Sequence, residues 1–75
     1  MIDEKLKEKI MKALDTTSEE YFKECYKYTQ NGKEYIAVYP VDDVNNDLTV
    51  VYNTATGEFA GVQSFKYAKE IGERV

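Results

Sequence analysis

The sequence predicts an α+β domain: an N-terminal amphipathic helix packed on a four-stranded antiparallel meander sheet, followed by a short C-terminal helical turn or tail. Three observations carry this. Apolar residues recur three or four apart from Ile2 to Leu14, aromatic and β-branched residues dominate the chain beyond Glu20, and Asn31-Gly32 and Gly57 stand where strands must reverse. With 75 residues, 43% of them hydrophobic and 32% charged, the chain is a single domain, residues 1–75. So short a polypeptide buries only about 60% of its unfolded surface and has no material for a second core. A net charge of −4 is too small to hold it unfolded.

The helix is read from Ile2, Leu6, Ile10, Ala13 and Leu14 on one side, with Lys5, Lys9 and Lys12 on the other. Asp3 and Glu4 fall in its first turn and Lys12 in its last, the arrangement that the helix dipole favours. Thr16, Thr17 and Ser18 then end the period, because short hydroxyl side chains compete for the backbone.

Residues 20–30 carry two readings. As a helix capped by Thr16 or Thr17, the segment stacks Tyr21, Cys25 and Tyr28; as a strand, it sets Phe22, Tyr26 and Tyr28 on one face with Glu24 between them. Composition and the Asn31-Gly32 reversal favour the strand, and a helical turn over Ser18 to Phe22 before it is a third possibility. A hairpin pivoting there pairs Tyr28 with Tyr35, Tyr26 with Ala37, Glu24 with Tyr39 and Phe22 with Val41. The second strand, Lys33 to Val41, is ended by Pro40, and Asp42 to Asp47 forms a polar loop. Strands Leu48 to Asn53 and Glu58 to Phe65 follow, joined by Thr54-Ala55-Thr56-Gly57. Leu48, Val50, Tyr52, Ala60 and Val62 are read as the inner face; Thr49, Val51, Phe59, Gln63 and Phe65 form the other. Lys66 to Val75 is too short for an independent helix, and docks Tyr67 and Ile71 in one or two turns or frays. The stretch from Val50 to Phe59 is similar to the hairpins of many small sheet domains, the PepSY and cystatin-like groups among them, and no function follows from so generic a pattern.

Several function classes lose their footing at once. There is no histidine, so the usual general base and commonest metal ligand is absent, and the single Cys25 permits no intramolecular disulfide. Cys25 reads as a small core residue; its neighbours Lys23 and Lys27 favour a thiolate only if the sulfur is accessible. Asp43-Val44-Asn45-Asn46-Asp47 begins like a calcium loop, but Leu48 stands where glycine is needed and Thr54 where a closing glutamate belongs. No metal and no cofactor is expected. No apolar run reaches the about 20 residues of a membrane span, and Met1-Ile2-Asp3-Glu4-Lys5 lacks the layout of a secretory signal, so the expectation is a complete, cytoplasmic chain.

Charge argues against nucleic-acid binding. Residues 15–47 hold eight acids against three lysines, a local net of −5 that repels phosphate. In size, acidity and lack of catalytic residues the chain resembles small acidic proteins of phages and mobile elements that occupy nucleic-acid channels by presenting carboxylates in place of phosphates. A simpler use of the same charge is to attract basic protein surfaces. Ten aromatics are more than one helix can cover on a four-stranded sheet. The expectation is therefore a non-catalytic protein-interaction module, regulatory or inhibitory, or a homo-oligomer meeting its own copy. Its surface would be an aromatic sheet face, Tyr28, Tyr35, Tyr39, Val51, Phe59 and Phe65, rimmed by Asp42, Asp43 and Asp47.

Overall fold

A computed structural model describes residues 2–75, which leaves Met1 outside the described residues. The first helix, α1 (Glu4–Leu14), forms where period and caps agree. The Asp3 carboxylate accepts a bond from the Lys5 N–H at 2.7 Å, and Asp15 closes the far end in the left-handed region at φ 53°. Ile10 is fully buried, Leu6 and Leu14 are half-buried, and Ala13 faces solvent, beyond the edge of the apolar stripe. Ser18 then caps a single 3-10 turn, Glu19–Phe22. The open segment at 20–30 is thus the mixed case, a helical turn leading into a strand.

Strands β1 (Tyr26–Gln30) and β2 (Lys33–Ala37) meet across Asn31 and Gly32, whose φ values of 54° and 76° are the positive pair a two-residue reversal needs. Tyr28 faces Tyr35 and Tyr26 faces Ala37, as expected. The expected pairs Glu24–Tyr39 and Phe22–Val41 do not form in the ladder, because the 3-10 turn consumes Phe22. A single bond, from the Tyr39 N–H to the Tyr21 carbonyl at 2.9 Å, holds the two segments together there.

A second 3-10 turn, Val44–Asn46, leads to β3 (Leu48–Asn53), which pairs with β4 (Phe59–Ser64). Val50 lies opposite Val62, on the face expected for both, but the register then shifts: Val51 faces Gly61 and Tyr52 faces Phe59, leaving Ala60 as the extra residue of a bulge. Gly61, at φ 128°, supplies the backbone conformation that a side chain would resist. The bulge moves Phe59 from its expected face to the side of Tyr52, with ring centroids 6.1 Å apart.

The sheet has five strands rather than four. After β4 the chain forms α2 (Phe65–Ile71) and ends in a short strand, β5 (Glu73–Arg74), which pairs with β1; the order is β4-β3-β2-β1-β5. The expected tail is therefore two helical turns and a strand. It docks through Phe65 and Ala68, while Tyr67 and Ile71 stay exposed. What a short helix lacks in propensity is supplied at its start: the Ser64 hydroxyl accepts from the Tyr67 N–H and the Asp47 carboxylate from the Lys66 N–H.

Two apolar layers result, one on each side of the sheet. Ile10 of α1 packs with Cys25, Ile36, Val38 and Tyr52; Phe65 and Ala68 of α2 pack with Tyr26, Tyr28, Ala37 and Val51. Gly72 makes the last junction possible, because a Cβ there would lie 2.3 Å from the Lys27 carbonyl oxygen and 2.8 Å from that of Ala68. Replacing Gly72 by Ala must push two backbones apart, and the expected loss in urea unfolding is about 1–3 kcal/mol. An unchanged midpoint would show that β5 does not hold α2 in place.

Candidate functional site

The nine residues expected to form one interaction surface are dispersed by the fold. Tyr28 and Val51 are buried beneath α2, Phe65 is buried as its first residue, and Tyr35 and Tyr39 are half-buried at its margin. Phe65 stands edge-on to Tyr26 and to Tyr39, with centroids 5.4 and 5.6 Å apart, so these rings form a core. The ammonium of Lys23 lies 4.4 Å from the Tyr39 ring centroid and covers more of it. Only Phe59, 60% exposed, is free, and it lies on the other side of the sheet.

The three aspartates also separate by role. Asp47, at φ 59°, accepts bonds from the Ser64 hydroxyl at 2.7 Å and the Lys66 N–H at 3.0 Å, while its carbonyl accepts from the Phe65 N–H at 2.8 Å. It is a fastening of α2 rather than a rim residue, and the Ser64 bond first, then the Lys66 bond, holds its carboxyl below the usual range. Asp43 accepts from the Asn46 amide at 2.8 Å. Asp42 accepts from the Tyr21 hydroxyl at 2.6 Å, which raises the Tyr21 phenol above its ordinary value. Among the described residues no three His, Cys, Asp or Glu side chains converge on a point that could hold a metal ion.

Three of the glutamates are likewise engaged one by one. Glu19 pairs with Lys7, Glu24 lies 3.5 Å from Lys69, and Glu34 lies 4.0 Å from Lys27. Glu24 also accepts the Tyr26 hydroxyl, the main reason its carboxyl lies below the usual range. These three carboxylates are therefore not part of a free row such as a phosphate backbone presents.

Cys25 sits in the core under α1, 2% exposed, its thiol donating to the Tyr21 carbonyl at 3.3 Å. Burial pushes its pKa up to about 11, so the thiol stays protonated at neutral pH despite Lys27 nearby in sequence.

A different surface emerges on the α1 side of β3 and β4. A helix is about 10 Å across and strands lie about 4.8 Å apart, so α1 covers roughly two strands. Its apolar face meets Ile36 and Val38 beside Tyr52, and the neighbouring strip Leu48, Phe59 and Val62 is left 45%, 60% and 61% exposed. Beside it opens a groove of about 310 Å³, lined by Leu14, Tyr21, Val38, Tyr39, Pro40, Val41, Leu48, Thr49, Val50 and Val62, with Asp42 and Asp43 and no lysine or arginine. A second groove, about 470 Å³, runs from the start of α1 to the Thr54–Gly57 turn and mixes Lys5, Lys9 and Lys27 with Asp3 and Glu34. It carries no dominant charge, and its apolar part is formed by Ile2, Leu6, Ile36 and Val75.

Sequence reasoning read Leu48 and Val62 as inward-facing and so missed this strip. The available signal was the lack of any charge in Phe59–Ser64, the last strand of the expected meander and hence an edge. No family model, no curated protein and no solved structure matches the chain.

Two measurements check these assignments. Asp47 and Glu24 have lowered folded-state values, so the stability they contribute is present above the unfolded carboxyl pKa, about 4, and is lost as pH falls through the lower folded value. The Asp47→Ala variant is therefore expected to lose stability at neutral pH, and its acid transition should be shallower than that of the native chain; equal curves at all pH would remove Asp47 from the fastening. Cys25 is expected to react with a disulfide reagent at neutral pH at least a hundredfold more slowly than in denaturant, as roughly follows from its burial and protonation; comparable rates would place the thiol at the surface.

Proposed function

We propose that this protein is a small non-catalytic protein-binding module, acting as a regulator or inhibitor by occupying its partner. The single observation that supports this reading is the uncovered strip Leu48, Phe59 and Val62 running into an apolar groove whose only charged lining residues are Asp42 and Asp43. Apolar anchors beside a one-signed rim are the makings of a partner surface: the anchors supply affinity, and the charge steers a basic partner and excludes acidic ones. The tyrosine face first favoured by composition has no part in it, since α2 occupies that face.

Capture from source-cell lysate with the native chain, the Val62→Glu variant and the Asp42→Asn, Asp43→Asn double variant tests the reading. Val62 is mostly exposed, so Val62→Glu leaves the melting temperature nearly unchanged. The expected result is one enriched protein that Val62→Glu loses and that the double variant or raised salt weakens. Capture that is indifferent to both variants would contradict it.

A further inference from the structure

The two edges of the sheet are built differently. β5 is only two residues long, Glu73 and Arg74, both charged and exposed, the kind of edge that resists another strand. β4 is six residues, Phe59–Ser64, with no charge and no proline. Its one irregularity is the bulge at Ala60, close to its start; Val62, Gln63 and Ser64 continue in regular register with Val50, Thr49 and Leu48. Alternate residues of such an edge direct backbone N–H and C=O groups outward with no partner in the sheet; the Ser64 N–H meets the Gln63 side-chain oxygen at 2.9 Å, a local bond that an added strand must displace.

The groove lies on the same side as the exposed Val62 side chain, and its rim supplies Asp42 and Asp43 without a compensating cation. We propose that β4 is a strand-addition site, taking an extended segment of another protein whose alternate residues are apolar and which carries a lysine or arginine. The added strand continues the sheet beyond β4; its apolar side chains extend the Val62 and Leu48 strip, and its cation meets the aspartates. Recognition then divides in the usual way, backbone bonds giving affinity and the groove giving sequence preference. A second copy of this chain is the poorer occupant, because it brings another Asp42 and Asp43 with no lysine or arginine in the lining of either groove. The inference rests on the reading of this side as a protein-binding surface and specifies how the partner is held.

A random-peptide display library selected on the native protein, with removal of binders to Val62→Lys, tests it. Enriched peptides should alternate apolar residues and contain Lys or Arg. The best of them, titrated as a synthetic peptide, should shift the Val62, Gln63 and Ser64 amide signals. N-methylation of its alternate backbone nitrogens should weaken it by more than about tenfold, since each removes a donor and crowds the edge. An N-methylated peptide that binds equally, while Val62→Lys abolishes binding, would overturn strand addition and leave the protein-binding reading standing. Helical-period or acidic peptides, or no enrichment, would overturn the proposal too, as would a native dimer by light scattering that Val62→Lys dissociates. The wider reading falls only if lysate capture is also indifferent to Val62→Glu.

Discussion

Phe65 stands edge-on between Tyr26 and Tyr39, and the rest of the architecture depends on that contact. It is the first residue of α2, so its burial sets where the C-terminal segment turns back across the sheet. With Phe65 in place, Ala68 one turn later reaches the floor formed by Tyr26, Tyr28, Ala37 and Val51, and Gly72 lets β5 lie beside β1. Burying a phenylalanine side chain contributes about 1.5–3 kcal/mol, enough to offset much of the ordering cost of a helix that is unstable alone. Asp47 supports it from the loop side, tying the residue before β3 to the first turn of α2.

The consequence is an uneven distribution of cover. One face of the sheet is closed by α2 over β1 and β2, the other by α1 over the centre, and the edge strand β4 is left with apolar side chains exposed on the α1 side. Among the described residues only two α-helices are set against five strands. The charged two-residue β5 blunts one edge, whereas β4 has only a bulge near its start. An uncharged edge next to an acid-rimmed groove is a liability for solubility, and the proposed binding role gives it a use.

Much of the fold was legible in the sequence, and each success has a local cause. The 3.6-residue period and Asp3 placed α1, Asn31-Gly32 set the β1–β2 register at Tyr28–Tyr35, and alternation put Val50 and Val62 on one face. The misses arise where distant contacts decide. Phe59 changed sides because a bulge at Ala60 is invisible to strict alternation, although Gly61 marked the position where one was possible. α2 and β5 were read as a tail because Lys66 to Val75 is too short for an independent helix; their stability comes from Phe65, Asp47 and β1, all outside the segment. For the same reason most of the expected aromatic face is covered rather than exposed: composition counts rings, but only the path of the chain decides which of them α2 covers.

The most direct measurement is native-state amide hydrogen exchange followed residue by residue. The Gly72 N–H, bonded to the Ala68 carbonyl at 2.9 Å, and the Val75 N–H, bonded to the Cys25 carbonyl at 3.0 Å, report on whether the tyrosine face is closed. If α2 and β5 are locked as described, both exchange slowly, with opening free energies approaching that of Ile36 in the central strand, while the outward amides of β4 exchange quickly. Rapid exchange at Gly72 and Val75 beside a protected Ile36 would contradict it: α2 would be a lid that opens, and the tyrosine face would return as the surface available to a partner.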